Sequence, residues 1–257
     1  AIISHPMSTF KIEGGFKLKG DLEPQGAKNE ALQVICATLL TAEKTIIKNI
    51  PEIRDVLKLI EILKGLGVQS KRLSKGNYSF DASEVDIDFL KSPEYAQQAA
   101  VLRGSIMIIG PLLARFGKGF IPQPGGDKIG RRRVDTHFIG LQKLGARFDF
   151  DRENMWYSVS TEKLTGAYML LDEASVTGTA NIVMAAVLAN GLEVGLAVGE
   201  LDTRAVNAST AVSQILEELA IPHELLIIPD VPHDFGKLFN QIHPWAFDFY
   251  TSCWEQE

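Results

Sequence analysis

The stretch 133–161, RVDTHFIGLQKLGARFDFDRENMWYSVST, contains the pattern from which we infer the fold. It predicts a helix that ends near Leu144-Gly145-Ala146, followed by a strand, a turn and a second strand. The segment 53–83 predicts the same order, with Leu66-Gly67-Val68 at the matching place 78 residues earlier. A short β-branched run at 44–51, which ends at Pro51, precedes the first of these segments. Together they predict a repeated βαββ unit in an α/β protein.

Further elements surround these two units. The runs 29–42 and 182–189 have the composition and spacing of buried helices, and 102–119 predicts an apolar helix that ends before Gly117. The alternating stretch 10–22 predicts strand, turn and strand.

The character of the chain changes after Gly191, and we place a boundary near residue 190. The runs 192–202 and 223–230 predict strands on either side of a helix, and 243–255 predicts a final aromatic helix. Strand–helix–strand is typical of a parallel α/β unit. A third copy of the repeat is the alternative, because Leu219-Ala220-Ile221 follows Leu144 by 75 residues.

Composition excludes several classes of protein. Hydrophobic residues make up 46% and charged residues 23% of the chain, as in an ordinary globular protein. A net charge of -6 argues against a general nucleic-acid binder. The two cysteines, Cys36 and Cys253, predict neither a disulfide framework nor a cysteine metal site, and the histidines lack metal-ligand spacing. Two distant cysteines fit a reducing cytoplasm, so we expect a cytoplasmic protein. No apolar run reaches the roughly 18 residues of a membrane span.

The segment 122–138, PQPGGDKIGRRRVDTHF, is the first candidate site. Gly125 and Gly126 allow backbone amides to approach an anion closely, and arginines bind phosphate and carboxylate in a bidentate manner. A charged loop followed by a solvated helix start is the alternative interpretation.

Three other segments carry weaker signals of the same kind. In GAKNEAL, 26–32, Lys28 and Asn29 stand at the head of a helix. Arg103 precedes the apolar helix, and DEASVTGTAN, 172–181, precedes another. Taken alone, each segment is better explained without a ligand: Lys28 as an exposed lysine, Arg103 as a snorkelling surface arginine, and 172–181 as ordinary helix capping.

Taken together, the four segments resemble the UDP-N-acetylglucosamine enolpyruvyl transferases. The resemblance covers residues 8–191 and depends on GAKN, Arg103, ASVTGT and the motif PGG-x-x-IG-x-R-x-VD-x-H. It implies the enolpyruvyl transferase fold and the transfer of enolpyruvate from phosphoenolpyruvate to UDP-N-acetylglucosamine with release of phosphate. It implies no metal and no organic cofactor.

The resemblance also assigns roles to residues. Lys28 is expected to contact phosphoenolpyruvate and to serve catalysis, Asn29 to contact the sugar nucleotide, and Arg103 and Arg132 to hold the anionic substrates. The remaining substrate-binding positions that it implies are Arg133, Val134, Asp135, Thr136, Ser175 and Val176.

Asp127 stands where many members of the family carry a loop cysteine, the proton donor and the target of the epoxide antibiotic fosfomycin. An acid can still donate the proton, but it is a poor nucleophile towards an epoxide. The resemblance therefore predicts an activity that resists fosfomycin.

Members of this family are longer than this chain and have a second lobe that supplies a catalytic Asp and further arginines. We recognise none of those motifs here, so the chain is interpreted as a truncated or chimeric transferase. A lobe that binds the sugar nucleotide without turnover is the alternative that involves no catalysis.

Residues 192–257 resemble the last part of an esterase-type α/β-hydrolase. Asp202 and His233 would be the acid and the base of its triad, in the expected chain order. The chain has no G-x-S-x-G nucleophile motif, so a packing unit without catalytic function is the alternative interpretation.

Overall fold

The structure is a computed structural model, and it describes residues 14–15, 17, 19–21, 25–122, 134–153, 156–167, 169, 171, 175–189, 194–218, 222–232, 234, 237–238 and 240–246. It combines helices with sheets, which confirms the predicted α/β class. The helices are α1 (Lys28–Ala37), α2 (Arg54–Gly65), α3 (Pro93–Ala100), α4 (Ile109–Phe116), α5 (Asp135–Lys143), α6 (Val176–Ala186) and α7 (Thr203–Glu218). The strands are β1 (Thr45–Ile47), β2 (Gln69–Ser74), β3 (Asn77–Asp81), β4 (Lys118–Pro122), β5 (Arg147–Asp151), β6 (Trp156–Ser160), β7 (Val194–Gly199) and β8 (His223–Ile228). Short 3₁₀ helices cover Thr38–Leu40, Ile87–Lys91 and Arg103–Ile108.

The two predicted βαββ units are present and share one topology. The first consists of β1, α2, β2 and β3, with strand order β1-β3-β2, and the second of β4, α5, β5 and β6, with strand order β4-β6-β5. In each sheet the last strand lies in the middle and pairs antiparallel with both neighbours. The outer strands of each unit therefore run in the same direction, with the third strand between them.

The Leu-Gly pairs that revealed the repeat end both helices in the same way. Gly67 has a φ of 94° and Gly145 a φ of 99°, the left-handed region in which glycine is favoured. The amide of Gly67 donates to Lys64 O at 2.9 Å, and that of Gly145 donates to Gln142 O at 2.9 Å. The sequence repeat is thus also a repeat of local backbone geometry.

The main core joins residues of α1, α2, α4, α5 and α6 with residues of the two three-stranded sheets. Helix α4 packs on α6 and on β4, while α1 packs on α2 and on the segment Arg103–Ile108. In the second unit Phe138 joins α5 to its sheet, with ring centroids 4.6 Å from Phe148 and 5.1 Å from Tyr157. Fully buried residues of this core include Ile35, Leu39, Leu59, Leu63, Phe80, Met107, Ile109, Leu112 and Leu141.

Arg115, near the end of α4, connects the second half of the core with the first unit. Its Nη1 donates to the backbone oxygens of Leu39, Thr41 and Ala82 at 3.3, 3.1 and 2.7 Å. The oxygens of Leu39 and Thr41 follow α1, and that of Ala82 follows β3, so one guanidinium connects the end of α1 with the end of the first unit.

The segment after residue 190 is organised differently. β7 pairs directly with β8 in parallel, and α7 connects the two strands. In the two repeats a third strand separates the corresponding strands. Val198, Ile228 and Val231 are buried here, but they lie outside the main core cluster.

Three local expectations have other outcomes. The helix expected at 182–189 begins six residues earlier, at Val176, because Ser175 caps it and the small residues that follow continue the helix. Of the expected final helix at 243–255, the described residues 243–246 are helical. The expected strand pair at 10–22 lies largely outside the described residues.

Candidate functional site

Lys28 and Asn29 occupy the first two positions of α1, as the sequence predicted. Lys28 Nζ lies 3.2 Å from Asp55 Oδ2, at the start of α2, and both side chains are nearly half exposed. Because this ion pair is solvated, its contribution to stability is small. The ammonium group is therefore held near the N-terminus of α1 by a contact that a stronger anionic ligand can replace.

Arg103 begins the 3₁₀ segment that leads into α4. The neighbouring Gly104 lies against α1, since a Cβ at that position would be 3.2 Å from Leu32 Cδ1. The charge of Arg103 also acts on buried His137, whose pKa it helps to lower. Arg103 thus lies between α1 and the start of α5.

The N-terminus of α5 carries Val134, Asp135 and Thr136. The amide of His137 donates to Val134 O at 3.1 Å, which closes the first turn. Thr136 is fully buried, and its Cγ2 would lie 3.1 Å from a Cβ placed on Gly178 of α6. In this arrangement neither its side chain nor its backbone is exposed to solvent.

The N-terminus of α6 carries Ser175 and Val176. Ser175 Oγ accepts a hydrogen bond from the amide of Gly178 at 3.1 Å, a standard helix cap. Val176 is 70% exposed. A groove of about 670 Å³ between α1 and α6 begins beside these two residues and is otherwise lined mainly by apolar side chains.

Packing brings these four segments together. The segment Arg103–Ile108 contacts α1 and α6, and α6 also contacts α1 and α5. Helix N-termini carry partial positive charge and free amide groups, which favour anions. Arg103 and the N-termini of α5 and α6 are neighbours that favour an anionic ligand, and Lys28 with the N-terminus of α1 is a second feature of this kind on a helix that packs against them.

Two buried residues that the sequence argument missed connect this site. Asn181 Nδ2 lies 3.1 Å from His137 Nδ1, and Thr177 Oγ1 lies 3.4 Å from His137 Nε2. Burial, with a smaller contribution from Arg103, lowers the pKa of His137 to about 4, so its ring is neutral at pH 7. In the sequence, His137 stands out only as the histidine of the motif VD-x-H, and its spacing from other histidines does not indicate a metal site.

Several predicted residues lie outside the described residues: Asp127, Arg132, Arg133 and His233. Asp202 is described and directly precedes α7, where its backbone oxygen accepts from the amide of Val206 at 2.9 Å. Among the described residues no group of three His, Cys, Asp or Glu side chains could hold a metal ion. Within the same residues, no helix is both long and apolar enough to span a membrane.

Comparison with known proteins identifies one family. Residues 12–204 match the model of the family described as EPSP synthase (3-phosphoshikimate 1-carboxyvinyltransferase). The match extends past the boundary near 190 that the sequence suggested and includes Asp202.

Curated relatives share one name. UDP-N-acetylglucosamine 1-carboxyvinyltransferase of Bacteroides fragilis is 58% identical over 185 residues, which is 72% of this chain and 43% of that protein. The Porphyromonas gingivalis protein of the same name is 52% identical over 186 residues, again 72% of this chain and 43% of its own length. The Treponema denticola protein is 44% identical over 185 residues, 72% of this chain and 42% of its own. This chain thus spans less than half the length of these relatives.

A solved structure shows the same fold. The crystal structure of the enolpyruvyl transferase NikO from Streptomyces tendae superposes with a TM-score of 0.59 at 16% identity. The superposition covers 85% of this chain and 53% of that protein.

Proposed function

This chain belongs to the EPSP synthase family, and on that premise we propose that it forms the substrate-binding part of a UDP-N-acetylglucosamine 1-carboxyvinyltransferase. The observation that carries the proposal is the 58% identity over 185 residues with the Bacteroides fragilis enzyme of that name. The reaction transfers enolpyruvate from phosphoenolpyruvate to UDP-N-acetylglucosamine and releases phosphate. We place it in the cytoplasm, as a step of peptidoglycan precursor synthesis on which cell shape and division depend.

The charges of the site fit these substrates. Phosphoenolpyruvate carries a phosphate and a carboxylate, and the sugar nucleotide carries a diphosphate. We assign Lys28 to phosphoenolpyruvate, Asn29 to the nucleotide, and Arg103 with Arg132 to the anionic groups of both. Arg133, Val134, Asp135, Thr136, Ser175 and Val176 complete the binding surface, the last five of them at the N-termini of α5 and α6.

The chemistry needs an acid and a base. The sugar hydroxyl oxygen bonds to C2 of phosphoenolpyruvate while Asp127 gives a proton to C3. Loss of a proton from C3 and of phosphate from C2 then restores the double bond. The base that accepts the hydroxyl proton belongs, in this proposal, to a second lobe in a longer protein or a partner chain, which also excludes water.

The length of the chain supports a second reading. Since the chain spans 43% of the length of the Bacteroides fragilis enzyme, we propose as the second candidate a lobe that binds the sugar nucleotide without turning it over. The hydrolase reading of Asp202 and His233 gains no support, because the family match already includes Asp202.

Two assays on the purified chain separate these readings. Calorimetry with UDP-N-acetylglucosamine reports binding, and release of phosphate from phosphoenolpyruvate in its presence reports turnover. Binding together with turnover supports a complete transferase, and binding alone supports the binding lobe. Absence of binding contradicts the proposed function, and ester hydrolysis lost in His233→Ala would support the hydrolase reading.

A matched pair of lysines tests the assignment of Lys28. Lys28→Ala should weaken binding of phosphoenolpyruvate at least about 10-fold, because a charge-assisted contact is worth about 1.5–3 kcal/mol. Lys64, in a similar solvated ion pair with Glu61 at 2.8 Å, lies at the other end of α2 and serves as the control. Equal losses in Lys28→Ala and Lys64→Ala would remove Lys28 from the site.

Fosfomycin tests the assignment of Asp127. Any activity should persist in the presence of the epoxide, and Asp127→Cys should become sensitive because a thiolate attacks epoxides readily. Peptide mass spectrometry then locates the adduct. Cys36 is fully buried and burial raises the pKa of its thiol, so it should stay unmodified. Covalent loop modification of the unsubstituted protein would contradict the assignment.

A further inference from the structure

A single buried amide connects three of the substrate-binding segments. Asn181 of α6 is completely buried. Its Oδ1 accepts from the amide of Gly110 at 2.8 Å, and its Nδ2 donates to Ile106 O at 3.2 Å and points to His137 Nδ1 at 3.1 Å. Gly110 is the second residue of α4, and its amide has no acceptor within that helix. Asn181 therefore caps α4, holds the end of the Arg103 segment and contacts α5.

The fit at this point is tight. A Cβ on Gly110 would lie 2.2 Å from the backbone oxygen of Asn181, so only glycine lets α4 and α6 approach this closely. The same Cβ would also lie 2.5 Å from Asn181 Oδ1. The position of α6 relative to α4 is consequently fixed by backbone contact as well as by hydrogen bonds.

The hydrogen bonds also fix the state of His137. An amide nitrogen is only a donor, so His137 Nδ1 must be the acceptor and its proton must be on Nε2. Nε2–H faces Thr177 Oγ1 at 3.4 Å, in the first turn of α6. The nearby Arg103 charge opposes protonation of the ring. His137 therefore acts as a neutral link between α5 and α6.

These contacts lie directly beneath the proposed binding surface. His137 follows Asp135 and Thr136 on α5, Thr177 follows Ser175 and Val176 on α6, and Ile106 belongs to the segment that Arg103 begins. Any change in the His137–Asn181 contact changes the separation of these segments. A ligand that touches several of them at once binds well only when that separation is right.

We propose that His137 and Asn181 are positioning residues, which align Arg103 and the N-termini of α5 and α6 for the sugar nucleotide without touching it. The inference rests on the proposed function, since it concerns the same ligand. Substitution of either residue should therefore lower the affinity for the nucleotide by more than the accompanying loss of folding stability would explain.

Four variants in the full chain test this role by calorimetry with UDP-N-acetylglucosamine, alongside thermal unfolding. His137→Phe keeps a ring but removes both hydrogen bonds, and should weaken binding at least about 10-fold. His137→Asn places an amide oxygen near Nδ1 and should recover affinity to within about threefold of wild type. Thr177→Val is isosteric, should fold normally, and should weaken binding about threefold. Leu141→Ala, on the same helix and fully buried, should lose more thermal stability yet keep wild-type affinity.

The outcomes are distinct. Wild-type affinity in both His137→Phe and Thr177→Val overturns the inference, as does an affinity loss in Leu141→Ala equal to that in His137→Phe. ¹⁵N NMR of the ligand-free protein reports the tautomer independently, and a proton on Nδ1 at pH 7 would also overturn it. Absence of nucleotide binding by the wild-type chain refutes the proposed function, and with it this role, even if the tautomer is as described.

Discussion

The repeats and the segment after residue 190 both place a helix between two strands that run in the same direction. In each repeat a third strand pairs between those two strands, whereas β7 and β8 pair with each other. The repeats also share a large core, while Val198, Ile228 and Val231 lie outside it. The same order of elements thus occurs in this chain with two different strand pairings, one within the main core cluster and one outside it.

The largest expected effect tests this contrast directly. Leu63→Ala and Leu141→Ala truncate equivalent, fully buried side chains of the two repeats, and each should cost about 2–5 kcal/mol of unfolding free energy. Ile228→Ala should open only the segment 194–232. Hydrogen exchange by mass spectrometry should show lost protection in 54–81 for the leucine variants only. Equal loss there in Ile228→Ala would show that all three units unfold together.

An effect of intermediate size is the pH dependence of the free energy of unfolding that His137, in α5 of the second repeat, should cause. The pKa of His137 is about 4 in the folded protein and 6.5 in the unfolded chain, so the unfolded chain binds the proton more tightly. The stabilisation is complete above about pH 6.5 and is lost as the pH falls towards 4. Between about pH 7.5 and pH 5 the loss should be about 2 kcal/mol in urea titrations. His137→Asn lacks this slope, and an unchanged slope in that variant would contradict the cause.

Gly67 and Gly145, at matching positions of the two repeats, allow the stability of the two helix ends to be compared. Gly67→Ala and Gly145→Ala each force a Cβ into left-handed backbone, at about 1–2 kcal/mol. At Gly67 the new Cβ would also lie 2.8 Å from Glu84 O, whereas at Gly145 the nearest atom is Lys163 O at 3.3 Å. Gly67→Ala should therefore lower the melting temperature more, and the reverse order would contradict the effect assigned to the Glu84 contact.

The smallest effect concerns helix caps. Ser175→Ala removes the acceptor for the amide of Gly178 and should cost about 1 kcal/mol, as should Ser92→Ala at the start of α3. Calorimetric unfolding measures both. If Ser175 also contacts the nucleotide, only Ser175→Ala lowers its affinity; an equal affinity in both variants would remove the Ser175 side chain from the binding surface.

The repeats were predictable because their signals are local. Gly67 and Gly145 recur with the same neighbours, and the periodicities on either side of them differ clearly between helix and strand. The start of α6 was misplaced because Ser, Thr and Gly have low helix propensity, which a packed helix can override.

The candidate site was predictable only in part. Lys28, Arg103 and Ser175 belong to short motifs at helix starts, so their sequence neighbours reveal them. Asn181 and His137 are 44 residues apart, and no pattern in the sequence indicates that they meet. Strand order has the same limitation, because which strand lies in the middle depends on contacts distant in the chain.

The hydrogen bonds of the Arg115 guanidinium limit how the chain can be cut into separately folded fragments. It supplies donors to carbonyls that follow α1 and β3, so the first repeat depends on a side chain from beyond its own end. Two fragments separated between residues 83 and 92 would each contain one half of that contact. We therefore expect the two repeats, although duplicated in sequence, to unfold as one cooperative unit, and we expect the first repeat to be less stable when it is separated from Arg115.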